Sequence, residues 1–113
     1  MPFIDAKISL PLTREQKDKL KTRFGQAISI LHKPESYLMI NIADSQSLYF
    51  AGKALEKGAY VAISVFGQVN AGDSNKMTGE VCRILNEELD IPGNAVYVSY
   101  HPVANWGWNG SNF

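Results

Sequence analysis

Between Phe3 and Leu10 apolar and polar residues alternate, with Ile4, Ala6, Ile8 and Leu10 on one face and Asp5, Lys7 and Ser9 on the other. A period of two over this length predicts a half-buried strand. Pro11 stops it, and Thr13 with Gln16 matches a capping box that opens a helix. Leu20, Phe24, Ala27, Ile28 and Leu31 then recur at helical spacing, while Lys17, Lys19, Lys21 and Arg23 disperse over the wet side. Pro34 forbids the helix from running much past Lys33. Tyr37 to Ala43 predicts a second strand, and Ser47 to Phe50 a short extended piece. Ala59 to Phe66 is a strand with few polar atoms on either face. Gly67 to Ser74 reads as a turn and helix start, and Met77, Val81, Ile84, Leu85 and Leu89 line the helix that follows. Pro92-Gly93-Asn94 marks a turn before the last long strand, Ala95 to His101.

The chain thus reads as two strand–helix–strand halves. Each is a β-α-β unit, which requires a parallel pair joined by a right-handed crossover. The expected fold is α+β: a four-stranded mixed sheet with two helices on one face. Strand Ala59–Phe66, apolar on both sides, suits a sheet covered on both faces. A chain of 113 residues is expected to form one domain, spanning 1–113, with no third layer to offer. The cover is therefore expected from further copies of the same chain.

Composition narrows the function classes. Eleven basic residues balance eleven acidic ones, so no charge excess points to nucleic acid or an anionic membrane. No segment approaches the ~18 apolar residues of a membrane span, and the N-terminus lacks a signal-peptide pattern. A single cysteine, Cys82, fits a reducing compartment. The expectation is a cytoplasmic protein, with unconventional secretion leaving no trace in sequence.

Chemistry concentrates at Pro2, behind a methionine that a small second residue lets the cell trim. Pro2 would then carry a secondary amine. The ordinary α-amino pKa is about 7.7–8.0, and burial lowers it towards neutrality, where a general base works best. Lys33 reads either as a cation complementing a helix C-terminus or as a partner for an anionic substrate. The tail places Trp106, Trp108 and Phe113 among small polar residues, as a wall for a pocket, a plug for the core or a subunit contact. Cys82 reads as core rather than nucleophile, and His32 as structural. His101 has no evident partner, and the two histidines and one cysteine make no metal spacing.

Together these pieces resemble the macrophage migration inhibitory factor family of the tautomerase superfamily. The residues that carry the resemblance are Met1-Pro2, His32 to Tyr37, Ser64-Val65-Phe66-Gly67, Val96 to Tyr100 and Gly107 to Phe113. The resemblance implies a homotrimer of β-α-β-β-α-β subunits with active sites at subunit interfaces. It implies keto–enol tautomerisation of phenylpyruvate-like and dopachrome-like substrates without metal or organic cofactor. By that resemblance Pro2 is the base, Lys33 holds a substrate oxygen, and Tyr97 reaches in from a neighbouring subunit; these are the catalytic candidates. The backbone N–H of Phe66 would meet the substrate carboxylate, and Tyr37, Ser99, Trp106, Trp108 and Phe113 would complete the binding surface.

This chain departs from the family in five places, one of them a slightly shorter segment after Tyr100. His32 replaces a glycine, Phe66 a smaller aliphatic residue, Ser99 an asparagine, and Gly58-Ala59-Tyr60-Val61 a Cys-x-x-Cys found in some animal members. The family also contains a second kind of function: a cytokine-like trimer that binds a protein receptor. Hydration of an unsaturated acid, a third chemistry, would need a carboxylate to activate water. Only Glu35 falls in the matched site segments.

Overall fold

In the computed structural model, which describes residues 1–113, the N-terminal alternation becomes strand β1 (Pro2–Ile8). Ile4, Ala6 and Ile8 are fully buried, while Phe3, Asp5 and Lys7 are half-buried on the opposite face. The capping box forms as the sequence predicts. Thr13 N–H donates to Gln16 Oε1 at 2.8 Å and Gln16 N–H donates to Thr13 Oγ1 at 3.1 Å, opening helix α1 (Arg14–Ala27). The helix ends earlier than Pro34 requires. Its last turn tightens into a 3-10 turn, Ile28–Leu31, which keeps Ile28 and Leu31 on the buried stripe. A second 3-10 turn, Glu35–Tyr37, precedes strand β2 (Met39–Ala43), so Tyr37 stands before the strand rather than in it.

Two short strands, β3 (Tyr49–Phe50) and β4 (Lys53–Ala54), form a hairpin where the sequence predicts only one extended piece. Strand β5 (Ala59–Phe66) has the predicted bounds. Helix α2 (Ala71–Leu89), strand β6 (Val96–Val103) and a terminal hairpin of β7 (Gly107–Trp108) and β8 (Ser111–Asn112) complete the chain. No helix is long and apolar enough to cross a membrane.

The main sheet runs β2-β1-β5-β6. Parallel pairs β1–β2 and β5–β6 are the two β-α-β units, and β1 joins β5 antiparallel with Pro2 opposite Val65. Both helices pack on the face that buries Ile4, Ile8, Val61, Ile63 and Val65, with Phe24, Ile28, Met77, Ile84 and Leu85 filling the layer between. Each such side chain contributes about 1.5–3 kcal/mol when fully buried. This is the α+β fold expected from the sequence.

The other face is less apolar than strand β5 alone implies. Tyr60, Ala62, Ser64 and Phe66 are half-buried there, beside side chains that β5's own pattern does not report. Lys7 Nζ donates to Asp5 at 2.8 Å, and Asn41 Nδ2 donates to Asp5 at 2.9 Å. Tyr60 and Ser99 share a 2.7 Å hydrogen bond, and Ser99 meets His101 Nε2 at 2.8 Å. The unfinished parts of the sheet are its edges, β2 and β6, with unpaired backbone groups. Large apolar side chains also stand open at Met39, Tyr49 and Tyr97.

Candidate active site

Pro2 is buried at the start of β1, the edge-facing end of the β1–β5 pairing. It lines an open cleft of about 540 Å³ shared with Ser36, Tyr37, Met39, Trp106 and Trp108. With Met1 in place, the Pro2 nitrogen is a tertiary amide whose lone pair is delocalised into the carbonyl. The Met1 carbonyl accepts a 2.9 Å hydrogen bond from Phe66 N–H. This is the same donor that the family resemblance implies for a substrate carboxylate. With Met1 in place the Pro2 nitrogen is not basic and the Phe66 N–H is already taken.

Lys33 follows the 3-10 turn, and its Nζ donates to the Phe66 carbonyl at 3.2 Å. It lines a neighbouring cavity of about 450 Å³, not the aromatic cleft. Its charge nevertheless reaches the chain start: burial first, and the Lys33 ammonium second, push the Met1 amine below the ordinary α-amino value. Both causes favour a neutral amine. Phe66 is the junction between the two cavities, holding Met1 through its N–H and Lys33 through its carbonyl. Gly67 follows it with φ +91°, a turn that a side chain would strain.

The tail folds into a hairpin at the rim of the cleft. The β7–β8 hairpin turns at Asn109 (φ 53°) and Gly110 (φ 88°), and this double positive φ explains the Asn-Gly pair. Phe113 N–H donates to the Trp106 carbonyl at 3.0 Å and closes the hairpin. Trp108 then stacks on Phe113 (centroids 6.4 Å, planes 11° apart) and meets the edge of Tyr37 (5.7 Å, 85°). Phe113 reaches Phe66 at 5.7 Å. Four rings thus run in one line from the 3-10 turn to the end of β5. Trp108 and Phe113 are each more than half exposed, and Trp108 lines the cleft.

Tyr97 and Ser99 lie apart from this cluster. Tyr97 pairs with Tyr60, five residues along β5 from the Val65 that faces Pro2, a separation of roughly 17 Å along a strand. It is 65% exposed and packs on Phe50 at 5.7 Å. Ser99 engages Tyr60 and His101, which gives His101 the partner the sequence did not reveal. That pairing was legible, because residues two apart on a strand share a face. Glu35 turns away: its carboxylate lies over Gly25 of α1. Cys82 is half-buried in α2, and burial pushes its thiol above the ordinary range, as for a packing residue. Sequence reasoning missed Ser36 and Met39 as cleft residues, since neither residue type carries a signal by itself.

A mixed four-stranded sheet under two helices, with a proline at the head of β1 beside an aromatic cleft, is the architecture of the tautomerase superfamily. The family model described as macrophage migration inhibitory factor matches residues 1–113, and the chain belongs to that family. The macrophage migration inhibitory factor of Xenopus laevis is 35% identical over 83 residues, 72% of this chain and 71% of its own. D-dopachrome decarboxylase of Bos taurus is 25% identical over 107 residues, covering 94% of this chain and 90% of its own. The crystal structure of Leishmania major MIF2 matches with a TM-score of 0.93 at 29% identity, covering 100% of this chain and 97% of that one.

Proposed function

We propose that the chain is a keto–enol tautomerase of phenylpyruvate-like and dopachrome-like substrates, with the Pro2 amine as general base once Met1 is removed. The observation that carries this reading is the convergence at the start of β1. Pro2 lines the aromatic cleft, the Phe66 N–H donates to the adjoining Met1, and the Lys33 ammonium, from a separate cavity, depresses the terminal amine. Relationship to a D-dopachrome decarboxylase supports the substrate class.

In the proposed reaction the neutral Pro2 nitrogen removes a proton from the carbon next to the carbonyl. The C–H electron pair forms the C=C bond and the carbonyl π pair moves onto oxygen. Protonated Pro2 gives its proton to that oxygen, which yields the enol and restores the neutral amine; the enol-to-keto direction is the reverse. Lys33 and the Phe66 N–H hold the substrate's anionic end in the ground state and the transition state alike, acting as preorganised donors rather than mobile water. The aryl group lies on the Trp108–Phe113 wall.

Tyr97 completes this site only from another copy, because within one chain it stands too far along the sheet. The two open sheet edges and the exposed Met39, Tyr49 and Tyr97 support such an assembly, and a trimer is the state we assign. The test is an enol–keto assay with phenylpyruvate on protein whose processed mass has been verified. A rate no faster than buffer would refute the proposal.

A further inference from the structure

The turn that carries Lys33 is held at a point the proposed chemistry does not use. His32 closes the 3-10 turn Ile28–Leu31 in the left-handed region, with φ 59° and ψ 34°. Histidine adopts this conformation more readily than most residues, but glycine does so at less cost. The His32 side chain must therefore be explained by what it touches. Its Nε2 stands 3.2 Å from Asp73 Oδ2 in the first turn of α2. The Asp73 side chain is only 25% exposed, and the Asp73 N–H donates to Asn70 Oδ1 at 3.1 Å, which fixes the helix start. One residue on, Lys33 reaches the Phe66 carbonyl. His32 and Lys33 line the same cavity. Adjacent residues thus tie one turn to both ends of the loop between β5 and α2, Lys33 to the strand end and His32 to the helix start.

We propose that His32 is a positioning residue for Lys33, acting through its bond to Asp73. The bond holds the turn so that the Lys33 ammonium and the Phe66 N–H address one substrate carboxylate together. His32 itself touches no substrate. The inference rests on the reading of Lys33 as the substrate's cation, and it names a device this chain has where relatives carry glycine. Loss of the latch acts on ground-state and transition-state binding alike, so it raises KM and spares kcat. The His32 side chain is 77% exposed, and for a contact of that kind the rise is about 1.5- to fivefold.

The test uses processed protein and measures kcat, KM and Tm for His32→Gly, Asp73→Ala, the double variant, Asp73→Asn and Lys33→Ala. His32→Gly relieves the left-handed strain, so its Tm holds or rises while KM increases. Asp73→Ala gives a similar KM, and the double variant is no worse than either single one. Asp73→Asn, which keeps an oxygen acceptor, stays near the parent. An unchanged KM in His32→Gly beside a raised KM in Lys33→Ala would overturn the positioning role and leave Lys33 standing. Additive effects in the double variant would overturn it too. No effect from Lys33→Ala would remove the reading beneath both.

Discussion

Replacing Trp108 by alanine separates a substrate wall from a core plug. Trp108 is 54% exposed and contributes two of the three ring contacts that link Tyr37 to Phe66. An aromatic pair is worth about 0.5–1.5 kcal/mol beyond area burial. If a substrate ring takes up one such contact with Trp108, its loss raises KM for an aryl keto acid about 2- to 13-fold. Stacking acts on substrate and transition state alike, so kcat changes by less than about twofold. Stability pays little. A fully buried Trp→Ala costs about 3–5 kcal/mol, and a side chain more than half exposed forfeits at most half of that. The assay is steady-state kinetics with phenylpyruvate and with a short aliphatic 2-keto acid, alongside thermal melting. The aliphatic acid should show an unchanged KM. An equal loss on both substrates, a kcat that falls more than KM rises, or a collapse of Tm would refute the wall.

Two further predictions concern the base and the assembly. The Pro2 amine must be neutral to act, so kcat/KM falls as pH drops through its pKa. Burial and then Lys33 lower the Met1 amine one residue away, and the same two causes are expected to act on Pro2 once it is the terminus. Lys33→Met removes the second cause and should move this acid limb to higher pH; a limb that stays put would exclude Lys33 from the field of the base. Light scattering of the parent at micromolar concentration should return a mass near three chains. A stable monomer with full activity would rule out a role for Tyr97 from a neighbour.

The parts of the fold legible in the sequence are those where one period or one apolar run dominates. The bounds of β5, Ala59 and Phe66, are legible as a short apolar run with few polar atoms on either face, and the structure adds the alternation of burial that puts Val61, Ile63 and Val65 in the core. The end of α1 is not legible, because a 3-10 turn keeps Ile28 and Leu31 buried just as an α-helix would. The β3–β4 hairpin turns through Ala51 at φ 51° and Gly52 at φ 79°, and an alanine gives no warning of such a turn. At the site, Pro2, Tyr37, Trp106 and Trp108 are candidates legible in the sequence, and they share one cleft. The Met1–Phe66 and His32–Asp73 contacts were out of reach, since each joins residues whose proximity exists only once β1, β5 and α2 have packed.

The central claim is that the Pro2 nitrogen is the base, and the structure makes the cost of leaving it acylated twofold. Retained Met1 removes the amine, worth about 10²–10⁴ in rate. It also occupies the Phe66 N–H, whose bond to a charged group is worth about 1.5–3 kcal/mol, or about 10- to 150-fold. The direct measurement is kcat/KM for phenylpyruvate on two preparations of known mass, one beginning at Pro2 and one at Met1, with circular dichroism as the folding control. The account predicts that the chain beginning at Met1 is folded and at least about a thousandfold slower. Equal activity in the two would contradict it.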